Sequence, residues 1–92
     1  MLEIQFSNIF KKDFKRCLKR GYRKTDFMTV LDLLINELPL PARYKDHQLT
    51  DSKRYQDVRE CHINPDWLFI YRIQKELRLL QAIRTGSHSD LF

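Results

Sequence analysis

Residues 56–83 read Gln56-Asp57-Val58-Arg59-Glu60-Cys61-His62-Ile63-Asn64-Pro65-Asp66-Trp67-Leu68-Phe69-Ile70-Tyr71-Arg72-Ile73-Gln74-Lys75-Glu76-Leu77-Arg78-Leu79-Leu80-Gln81-Ala82-Ile83. Apolar side chains, β-branched and aromatic ones above all in the middle run, recur through Gln56 to Ile63, Trp67 to Ile73 and Leu77 to Ile83. Such residues suit a pleated, half-buried surface, so each run is predicted to be a strand. The breaks between them, Asn64-Pro65-Asp66 and Gln74-Lys75-Glu76, have turn composition and are too short for anything but antiparallel connections. A three-stranded antiparallel meander follows.

Moving towards the N-terminus, Leu2, Ile4 and Phe6 alternate with Glu3 and Gln5, the period of a short half-buried strand. Ser7 or Asn8 can then cap a helix in which Phe10, Phe14, Cys17, Leu18 and Gly21 form an apolar stripe, Gly21 serving as C-terminal cap. Lys11, Lys12, Lys15, Arg16, Lys19 and Arg20 cover its other face, opposed only by Asp13. Thr25 or Asp26 starts a second helix with Phe27, Val30, Leu31, Leu34, Ile35 and Leu38 on one side, ended by Pro39 and Pro41. The polar stretch from Ala42 to Tyr55 is predicted to be a long, irregular loop, and loops of that length tend to carry function. The order is β-α-α-β-β-β, an α+β class with a four-stranded, mainly antiparallel sheet packed against a helical hairpin.

The 92 residues form a single domain, 1–92, and leave no room for a separate cofactor domain. Seventeen Lys and Arg against twelve Asp and Glu give a formal charge of +5, which favours phosphates or acidic partners. No apolar run approaches the roughly 20 residues of a membrane span, and no basic segment followed by an apolar signal core opens the chain. A cytoplasmic protein without membrane contact is expected. Cys17 and Cys61 lie in apolar-patterned segments, where buried reduced thiols are the default and a disulfide the alternative.

Chemistry-bearing residues gather in polar breaks. His47 lies beside Lys45, His62 and Asp66 flank Asn64-Pro65, and the terminal segment Arg84 to Phe92 contains His88. Metal binding finds no support in the spacing, since no HxxxH, HExxH or paired-cysteine motif occurs. No cofactor is expected. Metal-free cleavage of RNA fits better, because the substrate supplies its own nucleophile in the 2′-hydroxyl. The protein then needs a base, an acid for the departing 5′-oxygen and cations around the phosphorus. Histidine can do either proton transfer near neutral pH. Arg84 and Lys45 are suitable phosphate contacts, and Phe92 could stack on a base. Asp66 also reads as a simple turn residue, and Trp67 as strand core.

Three segments, Tyr44 to Leu49, Arg59 to Tyr71 and Arg84 to Phe92, resemble in order and over nearly the whole chain the YafQ-type toxins of the RelE/ParE superfamily. The resemblance implies a small RelE-like microbial RNase fold and a bacterial type II toxin that cuts messenger RNA during translation. It also implies a cognate antitoxin encoded alongside, with operator DNA contacted only through the antitoxin complex. Carried over by motif, His88 is the general acid, His47, His62 and Asp66 are its companions in undivided roles, and Arg84 and Phe92 contact phosphate and base. Few groups here can read bases, so the ribosome would place the cut, docked through Lys11, Lys12, Lys15, Arg16 and Lys19, a patch shared with the antitoxin. The alternative is a catalytically silent binding module acting with an antitoxin. Inhibition of a protein target such as gyrase, known in the ParE branch, does not call for three histidines.

Overall fold

The computed structural model describes residues 1–49, 55 and 57–92. Strands β1 (Glu3–Phe6), β2 (His47–Gln48), β3 (Arg59–Asn64), β4 (Trp67–Gln74) and β5 (Leu79–Gly86) form one sheet in the order β1-β5-β4-β3-β2. Helices α1 (Asn8–Lys19), α2 (Lys24–Ile35) and α3 (His88–Leu91) complete the chain with two short 3-10 turns, Ala42–Tyr44 and Lys75–Leu77. The meander is present as β3, β4 and β5, antiparallel throughout. β1 joins it in parallel on β5, with Ile4 opposite Leu80.

The sheet has five strands rather than the expected four. The extra one is β2, two residues long, which pairs His47 with Glu60 and Gln48 with Arg59 inside the stretch expected to be irregular. Two residues are too few to show a period, so ladder bonding to β3 decides their conformation. The run expected from Gln56 begins at Arg59, after Asp57 takes a left-handed backbone (φ 56°); Gln56 and residues 50–54 of the expected loop lie outside the described residues. The final strand starts at Leu79 instead of Leu77, which is exposed in a 3-10 turn, and runs on through Gly86.

Ser7 caps α1 by accepting from the Phe10 amide at 2.9 Å, as its residue type implies. The second helix begins at Lys24, one residue earlier than Thr25, with no side-chain cap, and stops at Ile35 before a left-handed Glu37 (φ 56°). Both helices cover one face of the sheet. Phe10, Phe27, Val30, Leu31 and Leu34 pack there on Trp67, Phe69, Tyr71 and Leu80. Phe10, Phe27 and Phe69 form a ring cluster with centroids 5.1 to 5.7 Å apart. Burying each such side chain contributes roughly 1.5–3 kcal/mol. Trp67 is fully buried and donates to Thr85 Oγ1 at 2.7 Å, so its role is packing, as its strand position implied. Cys17 and Cys61 are free and buried, and burial pushes the Cys61 thiol up. No helix among the described residues is long and apolar enough to cross a membrane.

The opposite face is less thickly covered. Tyr55, Val58, Leu68, Ile70 and Leu91 make a smaller cluster there, roofed by the single turn of α3.

Candidate active site

Strand alternation sorts β3 into two faces. Cys61 and Ile63 enter the helix-side core, so Glu60 and His62 stand on the other face, beside the smaller cluster. Pairing with β2 sets His47 opposite Glu60. Glu60, only 4% exposed, lies between two imidazoles: His47 Nε2 and His62 Nε2 are each 3.6 Å from its Oε1. That separation exceeds a hydrogen bond and becomes an ion pair only when a ring takes up a proton. The His62 and His88 rings are 6.0 Å apart between centroids, and His88 is 6.0 Å from Phe92. Phe92 meets the edge of Tyr55 at 5.7 Å, and the Tyr55 hydroxyl accepts from Arg84 Nη1 at 3.4 Å.

One unbroken chain of contacts therefore runs Arg84, Tyr55, Phe92, His88, His62, Glu60, His47. It assembles all three histidines, Arg84 and Phe92 from segments far apart in sequence. Glu60 was not singled out in the sequence, although its i, i+2 relation to His62 beside core residues Cys61 and Ile63 is a readable signal. Tyr55 was read only as the end of a loop.

Each member has distinct surroundings. His47 is about half exposed, and its Nδ1 lies 2.7 Å from the Lys45 carbonyl oxygen. A carbonyl only accepts, so Nδ1 carries the hydrogen and Nε2 is left as the proton acceptor of the neutral ring. Lys45 itself is left-handed (φ 48°) with an exposed side chain. Next to it, Asp46 accepts from Arg59 Nη2 at 2.9 Å and from the Tyr71 hydroxyl. Burial, followed by that bond to Asp46, holds the Tyr71 phenol well above its usual range.

Arg84 is heavily engaged. Its Nε donates to Asp13 Oδ2 at 2.7 Å and its Nη2 to Asp13 Oδ1 at 3.1 Å, and Asp13 is 3% exposed. Asp13, expected among the cations of the solvent face of α1, is instead buried as the partner of Arg84, with the Thr85 amide also donating to it at 3.3 Å. Arg16 joins Asp13 at 3.1 Å, whereas Lys11, Lys12, Lys15 and Lys19 remain exposed. Asp66 is exposed in the turn between β3 and β4, and its carbonyl accepts from Tyr22 at 3.4 Å. Among the described residues, no hydrogen bond or ion pair joins its carboxylate to a histidine. From Tyr55 an open cavity of about 460 Å³ continues along the same face, bordered by Phe6, Arg72, Gln81 and Ile83.

Fold and site together define a small toxin of the type II toxin-antitoxin class: residues 2–92 match the family described as the bacterial toxin of type II toxin-antitoxin systems, YafQ. The mRNA interferase toxin YafQ of Escherichia coli strain B is 42% identical over 91 residues, covering 98% of this chain and 95% of that protein. The crystal structure of the E. coli DinJ–YafQ complex superimposes with a TM-score of 0.88 at 41% identity, covering 100% of this chain and 99% of the other. A metal-bound toxin from Helicobacter pylori reaches a TM-score of 0.92 at 42% identity, with full coverage of both chains. The chain belongs to the YafQ toxin family.

The metal in the H. pylori relative prompts a test of the donors. Among the described residues no three His, Cys, Asp or Glu side chains are arranged to hold an ion. Two imidazoles converge on a single carboxylate oxygen.

Proposed function

We propose that this toxin is a ribosome-dependent endoribonuclease that cuts messenger RNA by attack of the 2′-hydroxyl, using imidazoles as acid and base. The observation that carries this reading is the convergence of His47, His62 and His88 on one sheet face beside an exposed terminal phenylalanine. In the reaction, an imidazole takes the 2′-hydroxyl proton as the 2′-oxygen bonds to phosphorus. His88 delivers a proton to the 5′-oxygen as the phosphorus–oxygen bond breaks, leaving a 2′,3′-cyclic phosphate and a 5′-hydroxyl. His47 is suited to the base role because its Nδ1 hydrogen is committed to the Lys45 carbonyl, which aims the lone pair of Nε2 into the cluster. Glu60 stabilises the positive charge that an imidazole gains on accepting the proton, and His62 shares that carboxylate.

Arg84 supplies positive charge near the phosphorus. With its Nε and Nη2 spent on Asp13, its contact with phosphate would run through Nη1, on the Tyr55 side. Lys45 offers a second, exposed cation, Asp66 acts from the exposed turn between β3 and β4, and Phe92, 54% exposed, provides a ring face for a base. Lys11, Lys12, Lys15, Arg16 and Lys19 dock ribosomal RNA, and a cognate antitoxin competes for part of this surface, carrying the pair onto operator DNA. The setting is the bacterial cytoplasm. No metal is required, so chelation with EDTA at free magnesium held sufficient for ribosomes should leave cleavage intact.

The deciding experiment is primer extension on a defined mRNA in a purified translation reaction, with wild-type protein, with His88→Ala and with naked RNA. Cuts at positioned codons, seen only with ribosomes and reduced at least about a hundredfold in the variant, are expected. Cleavage near wild-type level by His88→Ala would remove the general acid from the scheme, and no cleavage by the wild-type protein would leave a binding module.

A further inference from the structure

The helix carrying His88 is a single turn of four residues, His88–Leu91. A helix that short has no stability of its own, so the direction of its side chains is set by whatever ties it down. Two ties are local. Leu91 is buried, and Ser87 and Asp90 form a capping box in which Asp90 Oδ2 accepts from the Ser87 amide at 2.8 Å and Ser87 Oγ from the Asp90 amide at 3.2 Å. Gly86 makes room for this, since a Cβ there would lie 2.8 Å from Asp90 Oδ2.

The third tie reaches across the molecule. Arg20, the C-terminal cap residue of α1, grips Asp90 through both arms of its guanidinium, Nη1 to Oδ2 at 2.6 Å and Nη2 to Oδ1 at 3.0 Å. Arg16 Nη2 stands 3.9 Å from the same carboxylate. A planar, two-bond contact of this kind fixes direction as well as distance. With the capping box holding the same carboxylate to the start of α3, the far end of the basic helix is linked to the backbone that carries His88 and Phe92. We propose that Arg20 is a positioning residue for the cleavage reaction, acting through Asp90 to hold His88 and Phe92 in register with His62. Its place on a cationic helix face suggests general RNA docking, but its guanidinium is aimed at the tail. The proposal rests on the reading of His88 as the acid that protonates the leaving oxygen.

The test compares wild-type protein with Arg20→Ala, Arg20→Lys, Asp90→Asn and Lys19→Ala in cleavage on programmed ribosomes, separating kcat from KM, alongside thermal melts and side-chain NMR of His88. Arg20→Ala and Asp90→Asn are expected to lower kcat at least tenfold with KM within twofold, to shift or broaden the His88 ring signals, and to leave the melt cooperative. Arg20→Lys, keeping the charge without the fork, should recover part of kcat. Lys19→Ala should raise KM alone. A rise in KM with unchanged kcat for Arg20→Ala would make it another docking cation and overturn the positioning role, as would wild-type values of both constants or an unaltered His88 signal. Absence of cleavage by the wild-type protein would instead reject the nuclease reading itself, and the positioning role with it.

Discussion

The segments that carry His47 and His88 reach the site by the same device in different surroundings. Each has an acidic residue close to its histidine, Asp46 or Asp90, fastened to an arginine from another element. The arginine of each pair is about 40% exposed, so water and salt compete at both. Asp46 differs in that it also accepts from the hydroxyl of buried Tyr71, a group that would be costly to leave unpaired. The loop-borne arm is thus anchored in the fold, whereas the terminal arm is latched onto it. On the proposed reading of His88 as the acid, such a latch lets the acid move without unfolding.

The largest effect that sharpens this contrast is on rate. His47→Ala should reduce cleavage at least about a hundredfold, as expected for loss of one proton-transfer partner, while leaving the melting temperature within a few degrees because the side chain is about half exposed. Single-turnover kinetics on ribosome-bound mRNA measures it. A mild loss would transfer the base role to His62, whose Nε2 faces the same Glu60 oxygen.

Next comes stability. Asp46→Ala strips the acceptor from Tyr71 and Arg59 and should destabilise the fold by roughly 1–3 kcal/mol. At about 4–8 °C per kcal/mol for a domain of this size, calorimetry would register it clearly. Asp90→Asn, which keeps an acceptor for the Ser87 amide and strips no buried hydroxyl of its partner, should shift the melt less while affecting kcat. Equal melting temperatures for the two variants would erase the distinction between anchor and latch.

The difference between the arms also explains what could be read from the chain. The meander was legible because alternation and turn residues are local signals, and the terminal histidine segment stood out by composition. The parallel seat of β1 on β5 was not, because nothing in Glu3–Phe6 names a partner strand more than seventy residues away. Asp13 looked like a lone acid on a solvated helix face. Its burial is decided by Arg84, and the use of Arg20 by Asp90, both on the far end of the chain. The site histidines were visible as residue types in polar breaks, whereas Glu60, Asp46 and Tyr55, which hold them together, were hidden because strand pairing and loop closure create their roles.

The smallest effect near neutrality is the pH response of the two ties, and here they should part in opposite directions. Arg20, with help from the Ser87 amide and hydroxyl, holds the Asp90 carboxyl well below the usual carboxylate range. A depressed carboxyl contributes stability above its unfolded pKa of about 3.9, and that contribution is lost as pH falls towards the folded value. Tyr71 is shifted the other way, by burial and then by Asp46. Its contribution is complete below an unfolded pKa of about 10 and declines as pH rises beyond it. The His88 arm should therefore loosen only in acid and the His47 arm only in alkali, with both fixed between about pH 5 and pH 9. The melting-temperature difference between wild-type and Asp90→Asn protein, and between wild-type and Asp46→Ala protein, should stay constant across that span. A difference for Asp90→Asn that vanishes near pH 7 would instead mean that the latch opens under working conditions.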